Sequence, residues 1–576
     1  MELLTRERTW PQGDRPRRAG VSAFGISGTN AHVILEEAPL ADTGEPEVPA
    51  APDTTQQTRP PVIPWLLSAE SARGVRAQAE HLAAHLADHP ALDPVDIGFS
   101  LLTTRANLDH RAVITGTDRA ALTEALRALV TDTAAPGTYE GVAQRHGRLA
   151  VMFTGQGAQR VGMGQQLYAA FPVFAQEFDK VCALFDVRLE RPLRQVIWAE
   201  PDSDDARLVD ETVFTQAGLF ALEVALFRLA ESWGVTPDFL LGHSIGEITA
   251  AHVAGVFSLD DAVALVAARG QLMQGLPSGG TMISLRAAES DIRSLLAEYP
   301  DVAVAAVNSP SSLVISGEER AVTTIARLVR EKGGKAKRLK GNRAFHSPLV
   351  EPMLDAFRDV VEGLSLTAPK IPVVSNLTGR PATPEEICTP EYWVRHAREA
   401  VRFSDCVQWL SGNGVTTLLE LGPDGVLSGL AQQCLAEADS TQVIATLRAA
   451  RSEPRLLVES LARLHVRGVS VDWAGFFPGA RRVGLPTYAF QRERFWLESS
   501  GAAVNAAGLG VSAAGHPLLA AAVSLAGDEA ALLTGRLSAE EQPWLGEHEI
   551  HGSLIVPGTA LVELAVRAGD EVGCDV

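Results

Sequence analysis

The pentapeptide Gly242-His243-Ser244-Ile245-Gly246 constrains this chain more than any other stretch. An apolar run, Phe239-Leu240-Leu241, leads in, and a helical run, Ile245 to Val256, leads out. Strand, sharp turn with a serine at its apex, then helix is the nucleophile elbow. The glycines remove the Cβ atoms that would clash in so tight a turn. The turn exposes the Ser244 hydroxyl at a helix N-terminus, where free N–H groups and the dipole favour developing negative charge. A chance GxSxG also arises readily in a chain with 50 glycines, so the neighbouring motifs decide.

A nucleophilic serine needs a base within hydrogen-bond reach, and histidine has the suitable pKa. Of the 14 histidines, His346 in Ala344-Phe345-His346-Ser347-Pro348 sits best, at a strand-to-helix junction before a helix starting near Leu349. Upstream, the buried strand Leu149 to Phe153 runs into Thr154-Gly155-Gln156-Gly157-Ala158-Gln159. A glycine loop after a strand suits a phosphate, but the Lys-Ser/Thr ending of a P-loop is missing. Its other use is an oxyanion hole, where small residues let a backbone N–H approach the reacting carbonyl. Thr215-Gln216-Ala217-Gly218-Leu219-Phe220 opens a long apolar helix ending near Trp233. The helix Asp260 to Met273 carries Arg269 in an otherwise apolar sequence. A lone arginine there is either a surface group with a buried stem or a bidentate grip on a substrate carboxylate. Between elbow and histidine, residues 281 to 339 read β-α-β-β-α-β, the ferredoxin-like split.

In that order these pieces resemble the acyltransferase domain of a modular type I polyketide synthase, related to malonyl-CoA:acyl-carrier-protein transacylases. The motifs that carry the resemblance are GQGAQ (155–159), TQAGLFALEVAL (215–226), GHSIGE (242–247), Arg269-Gly270-Gln271, AFHSP (344–348) and Leu421-Gly422-Pro423. The resemblance implies an α/β-hydrolase-like core with an inserted ferredoxin-like subdomain. Ser244 is then the nucleophile and His346 the base. The N–H groups of Gln156 and Ile245 form the oxyanion hole, and Arg269 binds the carboxylate of the extender unit. A backbone carbonyl, matched to His396, holds the base. The acyltransferase would bind no cofactor or metal. Its substrate would be malonyl-CoA, and its acceptor the phosphopantetheine thiol of an acyl carrier protein. Two positions speak for malonyl over methylmalonyl. Phe345 fills the space a C2 methyl needs, and Ile245 stands where the methylmalonyl pattern has Gln. Arg343 departs from the usual His of that stretch.

The flanks resemble other parts of the same synthases. The glycine-punctuated strand pair within 17–36 is similar to the C-terminal end of a ketosynthase domain, whose nucleophile and histidines lie upstream, so His32 is expected to be structural. The expected boundaries are a ketosynthase remnant at 1–39, a proline-rich linker at 40–61, and a small α/β linker domain at 62–147. The acyltransferase follows at 148–440, with its subdomain at about 279–341. A post-acyltransferase linker at 441–498, a flexible spacer at 499–514 and the start of a hot-dog dehydratase at 515–576 complete the chain. The post-acyltransferase linker is expected to pack back along the linker domain. In the dehydratase part, His548 matches the catalytic histidine of HxxxGxxxxP. Its partner Asp would lie beyond residue 576, so no dehydration is expected. His81, His85 and His89 share a helix face and read as solvated rather than as a metal site.

A net charge of −20 argues against a nucleic-acid backbone as partner. Five cysteines without CxxC or metal spacing read as free thiols of a reducing compartment. There is no apolar run of about 18 residues and no signal-peptide h-region, so cytoplasm is the default, with no membrane partner. The expected partners are the carrier protein and other synthase domains. Since the family dimerises through ketosynthase and dehydratase, a monomer is expected. Two competing readings remain. A serine hydrolase such as a thioesterase needs an acidic third residue between Ser244 and His346 and has no use for Arg269. An inactive docking scaffold has no use for the whole constellation.

Overall fold

The computed structural model describes residues 8, 10–11, 13–25, 28–38, 60–144, 146–436, 440–493, 510–527 and 530–574. The chain divides into two compact units, residues 1–490 and 491–576. The linker expected at 40–61 lies almost wholly outside the described residues. Before it, β1 (Arg18–Phe24) and β2 (Asn30–Glu36) pair as an antiparallel hairpin, in which His32 Nδ1 lies 2.8 Å from Ser22 Oγ.

A small α/β layer follows. It comprises β3 (Ile63–Ala69), α1 (Ala72–Asp88), α2 (Pro94–Thr104), β4 (His110–Gly116), α3 (Arg119–Val130) and β5 (Thr138–Val142), with the sheet ordered β3-β4-β5. Ser71 and Asp118 cap α1 and α3 by accepting from the N–H groups of Gly74 and Ala121. Apolar spacing does not announce α2. Its start is marked by Asp93, which accepts from Val95 N–H, and by Pro94 in the first turn. Residues 481–488 lie along this layer, as expected of the linker. Asp96 accepts from Arg481 N–H at 2.7 Å, Ser100 from Val483 N–H at 2.8 Å, and Arg105 donates to the Pro486 carbonyl at 2.5 Å. On α1, His85 Nε2 lies 3.0 Å from the Gly484 carbonyl, and the His85 ring stacks on His89.

The central layer is a parallel sheet. Its elements in chain order begin with β6 (Arg148–Phe153), α4 (Thr212–Ser232), β7 (Phe239–Gly242), α5 (Ile245–Ala254) and α6 (Leu259–Gly275). After them the chain leaves the sheet and builds β8 (Gly280–Arg286), α7 (Glu289–Leu296), β9 (Val302–Ser309), β10 (Ser312–Glu318), α8 (Glu319–Glu331) and β11 (Lys335–Arg338). The order β11-β8-β10-β9, all antiparallel, is the ferredoxin-like arrangement. The apolar face of α8, Val322, Ile325, Ala326 and Val329, is buried against it. The chain then returns through β12 (Val373–Val374), α9 (Pro390–Arg398), β13 (Val415–Leu421), β14 (Gln442–Ala445) and α10 (Glu453–Val466), closing a five-stranded sheet β12-β7-β6-β13-β14. After the exposed Arg148, β6 is apolar from Leu149 to Phe153 because both faces of a parallel sheet are covered. α4 has the length and hydropathy to cross a membrane, yet 94% of its apolar window is buried inside the protein.

The second unit holds β15 (Ser512–His516), β16 (Leu519–Ser524) and β17 (Ala531–Thr534) as one antiparallel sheet, with helix α11 (Gly558–Val572). The spacer expected at 499–514 lies mostly outside the described residues, but its last residues are strand. Gly/Ala composition does not prevent β15 from pairing once β16 supplies a ladder partner. His548 Nδ1 lies 3.0 Å from the Ile555 carbonyl. The cysteines at 182, 388, 406, 434 and 574 are unbridged.

Candidate active site

Open parallel sheets place their sites at the carboxyl ends of the strands. Here β7 ends at Gly242 and α5 begins at Ile245, so only His243 and Ser244 make the turn. A Cβ at Gly242 would stand 2.0 Å from Glu247 N, and one at Gly246 would stand 2.3 Å from the Phe153 carbonyl oxygen, which explains both glycines. Ser244 takes φ 53° and ψ −113°, a conformation that costs a non-glycine residue energy and aims its side chain out of the turn.

The inserted subdomain returns the chain to this turn. Ser244 Oγ lies 2.8 Å from His346 Nε2. His346 Nδ1 lies 2.8 Å from the Glu399 carbonyl oxygen, which fixes the tautomer with the proton on Nδ1 and leaves Nε2 to accept. The carbonyl is therefore not that of His396, as expected, but of the residue three positions later. His396 is still inside α9, whereas Glu399 caps that helix with extended backbone and turns its carbonyl outward. The His396 ring instead stacks on Tyr392, and its Nε2 has no hydrogen-bond partner. Among the described residues no carboxylate occupies the third position of a triad at His346 Nδ1, where the Glu399 carbonyl stands. Burial, and then the Arg269 charge, push the His346 pKa down to about 3, so the resting imidazole is neutral.

Arg269 is 1% exposed and projects from α6 into the same space. One terminal nitrogen donates to Ser244 Oγ at 3.0 Å and the other to Gln216 Oε1 at 2.8 Å, while Nε has no partner. Desolvation is the cause that lowers its pKa to about 10. A buried guanidinium without a carboxylate is an uncompensated charge, and a ligand anion is what would compensate it. Gln216, on α4, also donates to Gln156 Oε1 at 3.2 Å, tying the glycine loop to the arginine. The backbone N–H groups of Gln156 and Ile245 have no acceptor among the described residues. Gln156 follows the end of β6 and Ile245 opens α5 directly after Ser244, where free N–H groups suit an oxyanion. Phe345, half-buried beside His346, packs against the main core.

The structure thus brings together Ser244, His346, Arg269, Gln156, Ile245 and Phe345. His548 lies in the second unit. Sequence reasoning missed Gln216, Glu247, Asn376 and the Glu399 carbonyl. A charged residue in the apolar helix after the serine, Glu247, was a readable signal. Asn376, on the loop after β12, carried none.

Residues 151–471 match the acyl transferase domain family. The chain belongs to that family. On either side of the acyltransferase, residues 1–114 match the ketoacyl-synthetase C-terminal extension and residues 516–576 the polyketide synthase dehydratase domain. The relatives are polyketide synthases: GfsA of Streptomyces halstedii is 50% identical over 584 residues, covering 100% of this chain and 8% of that protein. The chain therefore spans a small part of the relative it matches. Among solved structures, the acyltransferase domain from the second module of the salinomycin polyketide synthase is 50% identical. Its TM-score is 0.62 over 74% of this chain and 99% of that one. The malonyl CoA-acyl carrier protein transacylase (fabD) from Coxiella burnetii is 28% identical, with a TM-score of 0.50 over 55% of this chain and 98% of that one. The acyltransferase here is thus of the type I polyketide synthase kind, with the fold of the free-standing transacylases.

Proposed function

We propose that the acyltransferase moves a malonyl group from malonyl-CoA, through an ester on Ser244, to the phosphopantetheine thiol of an acyl carrier protein during polyketide assembly. The observation that carries this reading is Arg269, buried, without a carboxylate, and hydrogen-bonded to the Ser244 hydroxyl. A free carboxylate on the acyl group would pair with it bidentately, and a neutral acyl group would leave the charge buried alone. With that carboxylate seated, the thioester carbonyl lies within reach of Ser244.

Ser244 Oγ attacks the carbonyl carbon while His346 Nε2 takes its proton. The Gln156 and Ile245 N–H groups receive the developing oxyanion. Collapse expels the CoA thiolate, which takes the proton from His346. In the second half the carrier thiol gives its proton to His346 and attacks the ester, and Ser244 leaves and is reprotonated. Between the halves the ester must outlast water, and the dry, buried surroundings of His346 and Arg269 serve that need.

The preference for malonyl over methylmalonyl rests on Phe345, the neighbour of His346 in the chain, whose ring would crowd a C2 methyl. Arg343, the departure in this stretch, turns aside to the Leu276 carbonyl, 3.1 Å from its Nε. The test is intact-mass analysis of the chain after brief exposure to malonyl-CoA and methylmalonyl-CoA in competition. A malonyl adduct that disappears in Ser244→Ala is expected. Faster loading of methylmalonyl would overturn the extender assignment, and no adduct with either would overturn the transferase reading.

A further inference from the structure

The strained conformation of Ser244 must be imposed by its surroundings, since the residue would not adopt it alone. One side chain spans the turn. Asn376 Oδ1 accepts from Ser244 N–H at 2.9 Å, and Asn376 Nδ2 donates to the Gly242 carbonyl at 2.7 Å. A donor on one side and an acceptor on the other admit a single orientation of the amide. Asn376 is itself tied down, because its own N–H donates to Glu247 Oε2 at 2.6 Å. Glu247 lies in the first turn of α5, the helix that Ser244 opens, so the bonds close a ring from elbow to helix to loop and back. The second oxygen of Glu247 accepts from the Tyr392 hydroxyl, which lies 2.6 Å from Ser375 Oγ. The His396 ring nitrogen is 3.7 Å from Glu247 Oε2.

Glu247 is fully buried, and among the described residues no arginine or lysine faces it. An acid in such a place is costly for the fold, and an apolar side chain would fill it more cheaply. Its hydrogen bonds go to the groups that hold the nucleophile turn. The Ser244 N–H is also consumed by Asn376, which leaves Ile245 N–H, one residue on, as the elbow's contribution to an oxyanion.

We propose that Asn376 is a positioning residue for the nucleophile, held by the Glu247 carboxylate, and that this pair keeps Ser244 Oγ aimed between His346 and the incoming carbonyl. The proposal rests on Ser244 being the residue acylated. Neither Asn376 nor Glu247 touches substrate; both act through the backbone of the elbow.

The experiment compares wild type with Asn376→Ala, Glu247→Ala and Glu247→Gln by two readouts. One is the rate of Ser244 acylation by malonyl-CoA. The other is the rate of Ser244 labelling by a fluorophosphonate, which has no carboxylate. Misplacing a reacting atom by an ångström costs about 10²-fold, so both rates should fall by that order in Asn376→Ala with KM for malonyl-CoA unchanged. Glu247→Ala should behave likewise, and Glu247→Gln, which keeps an acceptor for Asn376 N–H, should recover most of the rate. Wild-type rates in folded Asn376→Ala, or a raised KM at unchanged kcat, would overturn the proposal. If Asn376→Ala does not fold, Asn376→Asp keeps the acceptor for Ser244 N–H and loses the donor to Gly242. Slowed labelling in that folded variant supports the brace, and a wild-type rate sinks it. Wild type that is labelled by the fluorophosphonate but not acylated by malonyl-CoA overturns the malonyl reading alone, and the labelling ratios still decide the brace.

Discussion

The Arg269 guanidinium donates to the Ser244 hydroxyl at 3.0 Å with no carboxylate beside it among the described residues. Two consequences follow for the resting site. The cation occupies a lone pair of the nucleophile, and its charge makes the neighbouring His346 a poorer base. On the proposed reading, a substrate carboxylate that pairs with Arg269 would relieve both, so the group proposed to confer selectivity would also prepare the nucleophile.

Replacing Arg269 with alanine should therefore do more than weaken binding. Hydrogen bonds to charged groups contribute about 1.5–3 kcal/mol, so malonyl loading should fall about 10- to 100-fold. Acetyl-CoA, which has no carboxylate, should load relatively better than in wild type. Intact-mass time courses with the two thioesters measure both. An unchanged malonyl-to-acetyl ratio would favour a generic esterase over a transferase.

The pH profile follows from the low pKa of His346. A histidine whose pKa is lowered stays neutral as the solution is acidified through 6.5, so the free enzyme keeps its base. The acid limb of kcat/KM should then lie well below pH 6.5. Once a substrate carboxylate cancels the Arg269 charge, His346 binds a proton more readily, so the acid limb of kcat should lie above that of kcat/KM. Coincident limbs near pH 6.5 would contradict this account.

Phe345→Ser should open space for a C2 methyl beside His346. One methyl in an apolar pocket is worth about 1–3 kcal/mol, so the malonyl preference should narrow by roughly tenfold or more. The ratio of the two loading rates is the measurement, and an unchanged ratio would count against the steric explanation.

The turn itself can be tested with a pair of glycines. Gly242→Ala places a Cβ 2.0 Å from Glu247 N and should abolish Ser244 acylation or folding. Gly275→Ala, at the end of α6, meets nothing within 4 Å and should leave the unfolding temperature equal or slightly higher, since the mid-helix preference for Ala over Gly of about 0.5–1 kcal/mol is an upper bound there. Equal damage from both would count against crowding at the turn as the reason for Gly242.

Elbow, glycine loop, His346 and Arg269 could be read from the chain because each sits in a local pattern with its own chemistry. The ferredoxin-like insertion could also be read, since its alternation of strands and helices is a local property of residues 281–339. The carbonyl that holds His346 could not, because which backbone oxygen faces an imidazole depends on where α9 ends, and that is settled by packing. Asn376 likewise has nothing around it in sequence that marks it, as its partners Gly242, Ser244 and Glu247 are about 130 residues away.

The amino-acid sequence by itself pointed to the class of this protein: an acyltransferase core built on a serine elbow, interrupted by an antiparallel insertion and flanked by stretches that resemble two other domains. Hydrophobic periodicity and glycine placement mark the elbow and the alternating strands and helices, because they act over a few residues at a time, and the order of the motifs carries the resemblance to the acyltransferase family. Only the tertiary structure decided that Arg269 is buried and unpaired, that Glu399 and not His396 orients the base, and that Asn376 spans the elbow. Those facts depend on which distant segments share a dry interior, where an unsatisfied charge or N–H is costly and each polar group must find its partner across the fold.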